Sequence, residues 1–360
     1  MVVPYRRERD LLGDREVPQD VYYGIQTARA LDNFPITGYK PHRELIMALA
    51  HVKKAAAQAN VNVKRLNPRI GNAIVAACDE ILDGKLNDQF VVDVIQGGAG
   101  TSYNMNANEV VANRAIELLG GKKGDYLLVS PNTHVNMAQS TNDAFPSAIK
   151  IAALKLSETL IQSLVGLGQA LEEKEQEFDG IIKMGRTHLQ DAVPIRLGQE
   201  FGAWACAIGR DIKRIQTAAS GLRTISMGAT AVGTGLNADV EYIEEVTEIL
   251  AANTNLPLVL TANMVDATQN TDVYVGLSSA LKICAVNPSK MANDLRLLAS
   301  GPRCGLNEIN LPAMQPGSSI MPGKVNPVMA EVVNQVAFQV IGNDLTVTLA
   351  SEAGQMELNV

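Results

Sequence analysis

The feature that most constrains this chain is a long apolar stripe. Ile149, Ala153, Leu156, Leu160, Leu164, Leu167 and Leu171 follow one another at steps of three and four residues. That spacing puts them on one face of a single helix. Asn142 and Asp143 are good N-caps, and Pro146 suits a first turn. A helix from there to about Phe178 would be roughly 50 Å long at 1.5 Å per residue. Such a length exceeds the usual globular helix and reads as a rod of a helical bundle.

Four more helical patterns follow: 197–222, 240–252, 272–300 and one starting near Val328. The 272–300 seam runs through Leu277, Leu281, Cys284, Met291, Leu295 and Leu298, with Pro288 on it. An interior proline costs ~3 kcal/mol, so a bend is expected there. Ile151, Leu154, Val286 and Leu297 lie off the seams, and a helix apolar on several faces is buried on several faces. Either a large monomer core or the packing of several subunits would bury them, and subunit packing is favoured. The fold class is therefore mainly α. Residues 1–140 read as an N-terminal mixed, mostly helical domain with helices near 42–60 and 68–83. Residues 141–360 read as a central helical-bundle domain. The ending "SEAGQMELNV" suggests a chain cut inside a helix.

Composition narrows the function classes. Net charge is −7, from 31 basic and 38 acidic residues, and no block of one sign stands out. Neither nucleic acid nor membrane is expected as a partner. No apolar run reads as a membrane span, and the charged start does not read as a signal peptide. Cys78, Cys206, Cys284 and Cys304 form no paired motif, and each is expected to pack as a small apolar side chain in a reducing cytoplasm. With four histidines and no HExxH, no metal site is expected.

Four polar stretches carry the chemistry. "QGGAGTSYNMNANEVVANRA" (96–115) leads from a glycine turn into Thr101 and a row of asparagines. The preceding "FVVDVI" could be a strand, which raises a dinucleotide fingerprint at Gly98 and Gly100. The third glycine is missing, so a nicotinamide-dependent dehydrogenase is a weak alternative. "SPNTHVNMAQSTNDAFP" (130–146) sets Ser140, Thr141, Asn142 and Asp143 at the head of the rod, where a helix N-terminus suits a carboxylate. "KMGRTHLQDAVPIRLGQEF" (183–201) places Thr187 and His188 in a turn expected between two helices. "PGSSIMPGKVNP" (316–327) holds Ser318, Ser319, Lys324 and Asn326 between prolines and glycines. Many neutral donors and few acids suit carboxylate recognition and stabilisation of developing negative charge. A serine held among backbone N–H groups near a lysine could act as a base.

These stretches, in this order, resemble the motif blocks of the aspartase/fumarase superfamily, "GSSIMPGKVNP" most specifically. "STND" at 140–143, where fumarases usually read "SSND", and the flanks "VYYGIQTARALDNFPITGY" and "EVVNQVAFQVIGNDLTVTLASEAGQMELNV" are aspartase-like. The resemblance implies a helical homotetramer whose active sites each draw on three subunits. It also implies a C-terminal part that this chain lacks. The implied reaction is the reversible conversion of L-aspartate to fumarate and ammonia, without an organic cofactor; no cofactor is expected. By the same resemblance Ser318 would abstract the Cβ proton. Thr101, Ser140, Thr141 and Ser319 would hold the β-carboxylate, and Lys324 and Asn326 the α-carboxylate. Asn142, Thr187 and His188 would face the amino group. Fumarate hydratase and a catalytically incomplete helical scaffold are the alternatives.

Overall fold

A computed structural model describes residues 4–359. A hairpin of β1 (Tyr5–Asp10) and β2 (Gly13–Pro18) precedes α1 (Ile25–Asn33), α2 (Arg43–Asn62), α3 (Pro68–Leu82) and α4 (Thr101–Leu118). The rod α5 (Thr141–Glu177) leads to a second hairpin, β3 (Ile182–Thr187) and β4 (Gln190–Arg196), then to α6 (Leu197–Ser220). Next come β5 (Thr224–Ile225), α7 (Val240–Thr254), β6 (Val259–Leu260) and α8 (Met264–Gln269), with β5 and β6 paired in parallel. The helices α9 (Asp272–Leu298) and α10 (Val328–Glu352) complete the order. The fold is mainly helical, as expected.

The chain forms two compact units. The first comprises the chain through Leu156, Gly221–Thr271 and the residues after Glu352; the second comprises Ser157–Ser220 and Asp272–Glu352. These are packing units cut through α5, and they answer a different question from a domain division at 140/141. In the first unit α2 packs on α3, α4 and α7. Its inner face presents Leu49, Val52, Ala55, Ala56 and Ala59, all essentially inaccessible to water. Short alanines let neighbouring helices approach closely, which suits a chain poor in aromatics. In the second unit α9 packs on α6 and α10.

Helix starts follow local chemistry. The Asn67 side chain accepts from the Arg69 N–H at 2.9 Å, with Pro68 as the first helical residue of α3. The rod begins one residue before the expected caps. The Ser140 hydroxyl accepts from the Asn142 N–H at 3.2 Å, while Asp143 accepts from the Ser140 N–H at 2.9 Å. Ser140 is thus the cap and Asp143 completes the reciprocal pair. Pro146 lies inside the helix.

α9 runs from Asp272 to Leu298 with Pro288 inside it. Several expectations are corrected. Residues 90–95 form no strand, because Asp93 draws the loop around itself. Its carboxylate accepts from the N–H groups of Thr37, Gly38 and Ile95 and from the Thr37 hydroxyl. Cys78 and Cys284 are buried, but Cys206 and Cys304 are exposed on α6 and on the 300–305 loop. The last helix ends at Glu352, and a turn closed by Gln355 and Leu358 follows. Finally, α5 is long and apolar enough to cross a membrane by length and composition alone. Alanine and leucine outweigh its few charges in that average. The helix nevertheless buries Asp143 and Lys150, and the Lys150 ammonium donates to the Thr224 carbonyl at 2.8 Å.

Candidate active site

In the first unit, the starts of α4 and α5 are locked together. Gly100 caps α4 with φ +86°, and a Cβ there would sit 2.0 Å from the Phe145 ring. That ring stacks on Tyr103 at 5.4 Å between centroids. Glycine is required both for the backbone conformation and for the ring. Thr101, the first residue of α4, donates its hydroxyl to the Gly98 carbonyl at 2.6 Å and is exposed. Asn104, one turn on, donates to the Thr141 hydroxyl oxygen at 3.2 Å. Asn142 donates to the Ala231 carbonyl at 2.6 Å. Thr101, Ser140, Thr141 and Asn142 therefore belong to one neighbourhood, built on two helix N-termini. Gly98 and Gly100 serve this turn, and no strand leads into it.

Beneath lie Asp143, read from the sequence only as a helix cap, and Lys53, which the sequence reading missed. Asp143 is buried; its second oxygen accepts from the Gly228 and Thr230 N–H groups, each at 3.0 Å. Burial pushes its pKa up to about 6, against the pull of those N–H donors and of Lys53. Lys53 of α2 is buried as well, and its ammonium meets Asn104, Gln139 and Asn136. Burial pushes its pKa down to about 7, with Asp143 and Cys78 acting the other way. A signal existed in the sequence. Lys53 sits on the apolar stripe Leu49, Val52, Ala56, where a lysine must either be paired or be lost to water. Of the other asparagines of α4, Asn108 donates to Asn136 Oδ1 at 3.1 Å, and two hold loops: Asn106 bonds the backbone of Gln89 and Val91, and Asn113 that of Tyr22 and Gly124.

In the second unit, Thr187 and His188 are not in an interhelical turn. They sit at the tip of the β3–β4 hairpin, where His188 (φ +51°) and Leu189 (φ +61°) occupy the two central turn positions. A type I′ hairpin turn demands left-handed φ at both positions, normally from Asn-Gly. The sequence carried no such pair; β4 is largely exposed, and β3 has no fully buried residue to mark a core face. Lys183 and Arg186 of β3 pair with Glu308 at 2.8 and 2.6 Å, and Lys183 also with Glu200. Burial works to raise the Glu308 pKa, but Arg186 and Lys183 outweigh it and hold the carboxyl below its ordinary value. This cluster ties the hairpin to the segment that runs into the serine loop.

That loop closes on itself. The Gly317 N–H donates to the Lys324 carbonyl at 2.9 Å, and the Asn326 amide to the Gly317 carbonyl at 2.8 Å. A Cβ on Gly317 would lie 2.6 Å from the Asn326 backbone nitrogen, so only glycine permits this closure. Inside the ring, the Ser318 hydroxyl oxygen accepts from the N–H groups of Ile320 and Met321 at 3.3 and 3.1 Å. Two such donors favour negative charge on that oxygen. Ser319 and Lys324 are exposed, Ser318 and Asn326 partly so. Ser318, Ser319, Lys324 and Asn326 thus share one loop. Among the described residues, no group of three or more His, Cys, Asp or Glu is arranged to hold a metal ion.

Known proteins resemble this chain in sequence and in fold. Residues 13–342 match the family described as Lyase. The chain is 66% identical to the aspartate ammonia-lyase of Bacillus subtilis (strain 168), covering 99% of this chain and 75% of that protein. It is 53% identical to the aspartate ammonia-lyase of Escherichia coli (strain K12), again over 99% of this chain and 75% of that one. Among solved structures, a fumarate lyase:delta crystallin from Brucella melitensis superposes with a TM-score of 0.96 at 54% identity, covering 99% of this chain and 78% of that one. A class II fumarase from Schistosoma mansoni superposes at 0.95 with 37% identity, with the same coverage. Fold, family match and whole-chain identity agree: the chain belongs to the fumarase/aspartase family of lyases.

Proposed function

We propose that the chain is an aspartate ammonia-lyase, which removes ammonia reversibly from L-aspartate to leave fumarate. The observation that carries this reading is the 66% identity over 99% of the chain to a relative of that name. In the proposed mechanism, the Ser318 oxygen takes the proton from Cβ. The electron pair left on Cβ spreads into the adjoining carboxylate, which becomes a doubly charged aci-carboxylate. That pair then forms the Cα–Cβ double bond, and the C–N bond breaks with its electrons leaving on nitrogen. The Ile320 and Met321 N–H groups on the Ser318 oxygen support its role as base. Ser140, Thr141 and Ser319 supply neutral donors for the β-carboxylate, where charge accumulates, and Thr101 joins them when its hydroxyl turns from the Gly98 carbonyl to the substrate. Lys324 and Asn326 bind the α-carboxylate, and Asn142, Thr187 and His188 face the departing amino group.

We further propose that the chain works as a homotetramer with sites shared between subunits. Exposed apolar residues support this: Val336, Phe338, Leu345 and Leu349 on α10 and Val286 and Leu297 on α9 face solvent in the single chain. Chemical-class rivals separate in one assay. The chain is given L-aspartate and, in parallel, L-malate, and the ultraviolet absorbance of fumarate is followed. A rise with aspartate alone is expected. A rise with malate alone would move the assignment to fumarate hydratase, and silence with both would leave a scaffold.

A further inference from the structure

Lys53 takes no part in the proposed mechanism, yet its surroundings are unusually specific. The ammonium lies in the interior of the first unit and donates to Asn104 Oδ1 at 2.6 Å, Gln139 Oε1 at 2.8 Å and Asn136 Oδ1 at 3.1 Å. An ammonium has three N–H donors and no acceptor, so three oxygens saturate it, and each amide must turn its oxygen inward. Asn104 is left with its NH2 group, which donates to Asn136 Oδ1 at 3.1 Å and to Thr141 Oγ1 at 3.2 Å. The Thr141 hydroxyl has one proton. With its oxygen already accepting from Asn104, that proton is sent away from the interior. An outward O–H is what a carboxylate oxygen requires; an outward lone pair would repel it.

We propose that Lys53 is a positioning residue for substrate recognition: through Asn104 it fixes the direction of the Thr141 hydroxyl, so that Thr141 donates its proton to the substrate carboxylate. This rests on the reading of Thr141 as a carboxylate-binding residue. Without the ammonium, the Asn104 amide is free to rotate by half a turn and present its oxygen to Thr141. The hydroxyl proton would then be spent inward. The relay also depends on pH, since Lys53 must keep its proton. The titratable groups acting on it are Asp143 of α5 and Cys78 of α3; its partners on α4 and in the 136–139 turn are amides.

The decisive variant is Asn104→Asp. It keeps the shape and the contact to Lys53, but it offers Thr141 an acceptor and so reverses the hydroxyl. Asn104→Asp and Lys53→Met are each expected to lower kcat/KM for aspartate by about tenfold or more. In a Thr141→Val background the Asn104→Asp penalty is expected to shrink below about twofold, because there is no hydroxyl left to orient. Equal penalties in both backgrounds would overturn the relay while leaving Thr141 as a ligand. Thr141→Val at wild-type kcat/KM would instead remove Thr141 from the site, and the proposal with it. If aspartate is not turned over, the same cycle is read from the calorimetric Kd of succinate. Independently of turnover, the 15N spectrum of lysine-labelled protein at pH 6 should show Lys53 as a protected ammonium. A neutral amine there would refute the proposal. Lys53→Met is at risk of misfolding, so Asn104→Asp at an unchanged melting temperature carries the test.

Discussion

The Ser140–Asn142 turn and the Ser318 loop serve one proposed reaction but are held by opposite means. The turn rests on a buried carboxylate with three N–H donors and on a buried ammonium with three amide acceptors. Each of those charges would be costly if its partners moved, so the turn is rigid because its interior is polar and saturated. The loop instead holds itself by short backbone bonds around Gly317, with Ser319, Met321 and Lys324 in solvent. The hairpin tip carrying His188 is equally exposed. The contrast teaches a division of labour. Gripping carboxylates needs preorganised donors, whereas a base that must be sealed from water with its substrate benefits from a segment able to move.

Four measurements would break or sharpen that contrast. Ser318→Ala should cut turnover by about a thousandfold, the scale for losing a positioned base, with the melting temperature unchanged. Substantial residual turnover would remove Ser318 from its role. Asp143→Ala strands three N–H groups, the two from Gly228 and Thr230 buried, at ~1–3 kcal/mol for each buried one. Urea unfolding should therefore show a loss of about 3 kcal/mol or more, and a loss near zero would mean the turn is not held from beneath.

Asp143 also gives a pH signature. Its folded pKa of about 6 lies above its ordinary value of 3.8, so its titration favours the fold at acid pH, and that contribution fades as pH rises through about 6. Stability relative to Asp143→Asn should accordingly fall by about 1 kcal/mol per pH unit between pH 4 and 6. A flat difference would show that the N–H donors and Lys53 fully offset burial. The smallest effect concerns the hairpin. Leu189→Gly relieves a left-handed leucine and should raise stability by about 1 kcal/mol in thermal unfolding. A loss would mean that the tip is braced by contacts beyond its own turn.

The helices were legible because periodicity is local. The rod was expected from Asn142 or Asp143 to about Phe178 and runs Thr141–Glu177, and the 42–60 and 68–83 expectations fall on α2 and α3. What escaped was set by partners distant in the chain. "FVVDVI" has the residues of a strand, but Asp93 is claimed by Thr37 and Gly38. The β3–β4 hairpin has neither a glycine turn nor a buried face to announce it. The motif residues could be picked out by type and order, and the shared loop of Ser318 and Asn326 follows from their adjacency. The support under Thr141 could not, since Lys53 meets residues 51 to 86 positions away. A lysine on an apolar stripe was the one local trace of it.

The fit of Gly100 against the Phe145 ring has a consequence on the timescale of inherited change. One residue vacates the volume that the other fills, so neither can drift freely. A side chain at 100 is blocked while the ring remains. A smaller residue at 145 opens a hole beside Tyr103 without relieving the left-handed backbone at 100. Mutational paths through this corner are therefore ordered: position 145 must change first, and position 100 gains little latitude afterwards. The spacing between Thr101 and Thr141 is guarded by a pair of residues that perform no chemistry at all.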